Sequence, residues 1–215
     1  MEVDGRMLRI GHRGAPAYAP ENTLASIEKA IELGVDVVEV DVRRSLDGYL
    51  MIMHDARVDR TTGRRGYVHE LRRDEMSGVP ILPDVIQAVN GRAAVMVELK
   101  VRGIVEEALG SIGSHPAYLA SYFHSEMLRV RELAPEMKTI ALVDGVPVSP
   151  IGFALDAKAT HAGFGFDSLE PAVIDLAHRA GLQVFTWTVD DPRDIAQAVS
   201  LGADGLISNY PDRLP

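Results

Sequence analysis

The rhythm of this chain limits its fold more than any single motif does. Between Leu8 and Ser208, short runs rich in Val, Ile and Leu alternate with amphipathic runs about eight times. Side chains repeat every two residues in a strand and every 3.6 in a helix, so the two kinds of run can be told apart. Strands are expected at 8–10, 36–43, 94–100, 118–123, 138–143, 159–164, 183–189 and 204–208. Helices are expected at 24–31, 83–89, 104–112, 126–133, 149–157, 171–180 and 192–201. Asn22 is a candidate N-cap for the first of these, and Gly34 its stop. Strand–helix units joined by short links predict an α/β fold, a (β/α)8 TIM barrel. Residues 56–82 break the rhythm. They are crowded with charge and read as a small insertion after the second strand, with a short helix near 70–76. No linker divides the rest, so a single domain over 1–215 is expected.

Composition narrows the function. The net charge of −9 argues against a broad electrostatic grip on nucleic acid or on an anionic membrane. With no cysteine, disulfides and thiolate metal sites are excluded. No apolar run reaches the roughly 18 residues of a membrane span. The start, Met1-Glu2-Val3-Asp4, is acidic and unlike a signal peptide, so a cytoplasmic location is expected. Phosphate chemistry in such a chain needs a local cluster or a metal.

A local cluster is present. In Asp36-Val37-Val38-Glu39-Val40-Asp41-Val42-Arg43, Val38, Val40 and Val42 share one face, and Val37, Glu39, Asp41 and Arg43 the other. Two unpaired carboxylates on a mostly apolar strand would each cost several kcal/mol or take up a proton. A divalent cation removes that cost, and oxygen ligands suit Mg²⁺ or Ca²⁺. Glu98, two residues from the end of 94–100, is a third candidate ligand. The plainer reading is salt bridging of these carboxylates with Arg43 and Lys100.

The hairpin at Leu46-Asp47-Gly48-Tyr49 returns the chain to His54-Asp55, and the first strand runs into His12-Arg13-Gly14. His12 and His54 are candidates for a general acid and a general base. Arg13 and Lys100 are candidates for holding a phosphate, with partnership to the carboxylates as the alternative. Trp187 is either core or the wall of a substrate pocket. These residues lie at carboxyl ends of expected strands, where barrel enzymes place their chemistry. The arginines of the insertion, Arg60 among them, read as a solvated charged loop balanced by Asp59, Glu70, Asp74 and Glu75. His69, His115, His161 and His178 read as surface or packing residues.

Taken in order, these motifs resemble the glycerophosphodiester phosphodiesterase family. The residues that carry the resemblance are His12-Arg13-Gly14, Pro20-Glu21-Asn22-Thr23, Glu39-x-Asp41, Asp47-Gly48, His54-Asp55 and Asp59-Arg60-Thr61-Thr62-Gly63. Glu98-x-Lys100, Trp187-Thr188-Val189 and Gly202-Ala203-Asp204-Gly205 complete the set. The resemblance implies a TIM barrel with a small insertion and one divalent cation, Mg²⁺ or Ca²⁺, on Glu39, Asp41 and Glu98. It implies His12 and His54 as the acid–base pair, with Arg13 and Lys100 at the phosphate. The implied reaction is hydrolysis of a small glycerophosphodiester, such as glycerophosphocholine or glycerophosphoethanolamine, to glycerol 3-phosphate and an alcohol. Tyr122-Phe123-His124 stands where the family usually has Ser-Phe-Asp, and Ser208-Asn209 where Thr-Asp is common. These departures bear on substrate choice. Alternatives are a lysophospholipase D or phospholipase C acting on lipids, an inactive phosphodiester-binding barrel, and a sugar-phosphate isomerase. The sequence does not choose the oligomeric state, the first base, or between water and a glycerol hydroxyl as nucleophile.

Overall fold

A computed structural model describes residues 6–215; the acidic start, Met1-Glu2-Val3-Asp4, lies outside the described residues. In chain order the elements are β1 (Leu8–Gly11), α1 (Leu24–Glu32), β2 (Val37–Arg44), β3 (Leu50–Ile52), α2 (Asp59–Thr62), α3 (Leu82–Val89), β4 (Ala94–Leu99) and α4 (Val105–Ile112). They continue with β5 (Ala117–Ser121), α5 (His124–Leu133), β6 (Lys138–Val143), α6 (Gly152–Asp156), β7 (His161–Gly165), α7 (Pro171–Arg179), β8 (Gln183–Trp187), α8 (Pro192–Leu201) and β9 (Gly205–Ser208). β1 pairs in parallel with both β2 and β9, which closes an eight-stranded parallel barrel, a (β/α)8 fold. β3 stands outside the ring as an antiparallel partner of β2, with Val42 opposite Ile52.

The two faces of β2 go where their chemistry sends them. Val38, Val40 and Val42 pack outward into the shell between barrel and helices. Val37 joins Leu8, Ile10, Met96, Phe185 and Ile207 inside the barrel. Apolar side chains therefore fill the lower barrel and exclude water. On β7 an inward Gly163 leaves space for its neighbours. A Cβ there would lie 2.6 Å from Leu142 and 3.0 Å from the Trp187 ring.

Three local expectations change. The N-cap of α1 is Thr23, whose hydroxyl accepts from Ser26 N, while Asn22 takes a left-handed backbone (φ 56°) and turns its side chain to the barrel. The helix expected near 70–76 is two 3₁₀ turns, Val68–Glu70 and Arg73–Met76. The insertion also has a small core of its own, with Met51, Val58, Val68 and Met76 buried together. β8 ends at Trp187, so Val189 leaves the strand alternation and packs in the outer shell.

Candidate active site

The turn after β1 carries His12 and Arg13 over the barrel mouth and is held from several sides. The Arg13 N–H donates to Glu39 Oε2 at 2.7 Å, in a left-handed conformation (φ 52°) that costs about 1–2 kcal/mol. Gly14 approaches α1 so closely that a Cβ would meet Ser26 at 2.4 Å, and its φ of 87° also suits glycine. Buried Ser26 donates to Arg13 O at 2.9 Å and accepts from Ala15 N at 2.8 Å.

The far end of the chain fixes the His12 ring. Its Nδ1 lies 2.9 Å from Asn209 Oδ1, and Asn209 Nδ2 donates to Asp190 Oδ2 at 2.7 Å. Because that amide nitrogen is engaged, the amide oxygen faces His12 as an acceptor. His12 Nδ1 must then carry the proton, which leaves the lone pair of the neutral ring on Nε2. Burial, helped by the Arg13 charge, lowers the His12 pKa and favours that neutral ring.

Below the turn, Glu39, Asp41 and Glu98 converge, each offering an oxygen within 4.8 Å of the others. The register explains why: Asp41 pairs with Glu98 across β2 and β4, and Glu39 lies one inward step lower. Asn22 Nδ2 donates to Asp41 Oδ2 at 2.8 Å, and Lys100 Nζ donates to Glu98 Oε1 at 2.7 Å and lies 3.6 Å from Asp41 Oδ1. Arg13 Nε stands 3.3 Å from Asp41 Oδ2 but is out of line for a hydrogen bond. Arg43 makes no close ion pair with the carboxylates. Its Nε donates to His54 O at 2.8 Å, so the salt-bridge reading holds for Lys100 and fails for Arg43.

The cluster fits a cation on an observation of its own. Glu39 Oε1 is buried without a hydrogen-bond partner, a defect of about 1–3 kcal/mol or more for a charged group. Burial first, then the charges of Asp41 and Glu98, push the Glu39 pKa well up. Burial and the Asp41 charge push Glu98 up to about 7. Two cationic side chains are therefore few for two buried carboxylates and a half-buried third, and a hard divalent ion would supply what is missing.

His54 follows β3 and is about one-third exposed. Its Nδ1 lies 2.8 Å from Asp55 Oδ1. A carboxylate accepts only, so Nδ1 is again the N–H and Nε2 is left for the pocket. A cleft of about 100 Å³ gathers seven of the eight residues singled out in the sequence: His12, Arg13, Glu39, His54, Glu98, Lys100 and Trp187. The eighth, Asp41, lies buried beneath them.

A profile of the Glycerophosphoryl diester phosphodiesterase family matches residues 12–107 and 80–213. The chain belongs to this family. Its class of chemistry is therefore that of a phosphoric diester hydrolase. A glycerophosphodiester phosphodiesterase of Caldanaerobacter subterraneus is 28% identical over 235 residues, covering 97% of this chain and 96% of the relative. A solved phosphodiesterase of Oleispira antarctica, in complex with sn-glycerol-3-phosphate, superposes with a TM-score of 0.89 at 24% identity, over 95% of this chain and 94% of that one. A glycerophosphodiester phosphodiesterase of Thermotoga maritima does so with a TM-score of 0.83 at 23% identity, over 96% of both chains. At such identities the two structures speak for the fold.

Several residues around this candidate site have roles that the motifs do not give. Asn209 and Asp190 orient His12 from beyond β9 and β8, and Asn22 fastens Asp41. Tyr122 stands edge-on to Trp187 at 6.0 Å and lines the same cleft, with Lys100 Nζ 5.8 Å from its ring centre. The departure at Tyr122-Phe123-His124 was the one signal for that position.

Proposed function

We propose that the chain hydrolyses a small glycerophosphodiester to glycerol 3-phosphate and an alcohol, with one Mg²⁺ or Ca²⁺ held by Glu39, Asp41 and Glu98. The observation that carries the cation is the buried, unpartnered Glu39 Oε1 within the three-carboxylate ring. When bound, the ion polarises a phosphoryl oxygen and offsets charge at the transition state.

The protein's own groups divide the remaining work. Arg13 and Lys100 flank the cleft and stabilise the extra negative charge on phosphorus oxygens. His12 is the initial base. It is neutral, with Nδ1–H spent on Asn209, and its Nε2 takes the proton of the nucleophile, whether water or the neighbouring glycerol hydroxyl. His54 is the acid. Asp55 holds its Nδ1–H, and Nε2 faces the pocket to deliver a proton to the leaving alkoxide. If the glycerol hydroxyl attacks, a cyclic phosphate forms and water opens it with the two roles exchanged.

The cleft is small beside the roughly 300 Å³ or more typical of ligand pockets. A trench of about 470 Å³ between the β1–α1 loop and the insertion shares His54 with it. The alcohol that His54 protonates therefore extends into that trench, and Trp187 walls the opposite side.

The test is release of glycerol 3-phosphate from glycerophosphocholine with Mg²⁺, with Ca²⁺ and after EDTA. Cation-dependent release is expected. Release undiminished by EDTA would overturn the metal. No release from any glycerophosphodiester with either ion would overturn the substrate class. Independently of turnover, the preferred ion should raise the thermal midpoint of the wild type and leave that of Glu98→Gln unmoved.

A further inference from the structure

We propose that Arg60, the second residue of α2, is a positioning residue that locks His54 and Arg13 into one frame, so that the insertion is part of the catalytic architecture. The inference rests on the reading of His54 and Arg13 given above.

The geometry is a branched chain of charge. Arg60 Nε donates to Asp55 Oδ2 at 2.7 Å, and the other oxygen of Asp55 holds His54 Nδ1. Arg60 Nη1 and Nη2 donate to both oxygens of Glu21, each at 2.7 Å. Glu21 Oε1 accepts in turn from Arg13 Nη1 at 3.0 Å. One planar guanidinium thus spans two carboxylates, and each carboxylate faces a group at the phosphate. Arg is suited to this because its donors form a fixed fork; Lys offers a single point charge.

This is not the pattern of an exposed, dispensable ion pair. Arg60 is half exposed, but its partners are not, at 19% for Glu21 and 30% for Asp55. Arg60 first, then burial and Arg13, set the Glu21 pKa, with a net fall to about 2; Arg60 likewise holds Asp55 well below the usual carboxylate range. α2 itself is anchored. Val58 before it is fully buried, Thr62 Oγ1 donates to Val58 O at 2.7 Å, and Thr61 Oγ1 lies 3.3 Å from Met53 sulfur. Arg57, three residues earlier, shows the contrast. It pairs with half-buried Asp59, two residues along the chain, and lies over the Tyr67 ring; neither contact reaches the mouth.

A positioning residue works through others, so its loss should lower kcat more than it raises KM. Arg60→Ala is expected to lower kcat on the order of tenfold or more, with KM changed by less than about threefold. Arg60→Lys keeps the charge without the fork and should recover little of that loss. Arg60→Ala should add less than about twofold to the Glu21→Gln/Asp55→Asn double variant, since the arms it acts through are already cut. Arg57→Ala should match the wild type. Unchanged kcat in Arg60→Ala, full rescue by lysine, or full additivity with the double variant would each overturn the clamp. A wild type without turnover indicts the reading of the site instead. The clamp is then read by proton NMR, where the hydrogen-bonded Nδ1–H of His54 should be seen in the wild type and lost in Arg60→Ala. Its persistence in the variant would sink the proposal.

Discussion

The two imidazoles at the mouth are held in opposite ways. His12 is half-buried, and a neutral amide, Asn209, takes its Nδ1–H, with Asp190 one bond further back. His54 is about one-third exposed, and a carboxylate takes its Nδ1–H directly, with Arg60 behind that. The barrel therefore frames a ring that stays neutral, and the insertion frames one beside a full negative charge. Similar side chains on one fold acquire different work from what stands behind them.

The strongest way to break the comparison is to remove each ring. His12→Ala and His54→Ala should each lower kcat by about 10² or more on glycerophosphocholine. A diester with a nitrophenol leaving group separates them, because a nitrophenolate leaves without an acid. His54→Ala should regain most of its activity on it, and His12→Ala should not. The reverse pattern would exchange the two roles.

A smaller effect is expected from the partner of His12. Asn209→Leu leaves the Nδ1–H without an acceptor and should cost about tenfold in kcat/KM. Asn209→Asp puts a charge where the wild type has none. A base acts deprotonated, and burial lowers the His12 pKa, so the acidic limb of the wild-type profile should lie below the ordinary histidine range. In Asn209→Asp that limb should move to higher pH. A limb that stays in place would show that His12 is not the group that sets it.

The smallest effect on turnover comes from a third imidazole at the floor of the barrel. His161 is buried against Tyr118 and Phe185, and burial, then the Lys138 charge, pushes its pKa down to about 4. The unfolded chain binds this proton near pH 6.5, above the folded value. Stability is therefore present above about pH 6.5 and is lost as pH falls toward 4, by on the order of 3 kcal/mol. His161→Phe should leave kcat unchanged at pH 7 and flatten the fall of thermal midpoint over that range. An unchanged slope would remove His161 as the acid-sensitive group.

The barrel was legible because two periods do not mimic each other. β6 at Lys138–Val143 and α8 at Pro192–Leu201 match the expected bounds. Along β2 the alternation alone separates the outward valines from the inward carboxylates. The insertion was illegible in detail because 3₁₀ turns leave no long apolar stripe. Asn22 misled because Asn and Thr both cap helices, and its left-handed turn toward Asp41 leaves no mark in composition. Asn209 meets His12 across 197 positions of chain, a contact that exists only once β1 and β9 close the ring. Arg60 shows the same limit. Among neighbours of both signs it reads as a solvated charge, and only the fold shows which carboxylates it holds.

Gly163 has a use for protein engineering. It stands inside the barrel beneath Trp187, where the first atom of any side chain would press on Leu142 and on the indole. Alanine there would press first on Leu142 and then on Trp187, both of which line the cleft, with every charged group left in place. The position is a dial for the shape of the substrate admitted, turned from inside the barrel and out of reach of the reacting atoms.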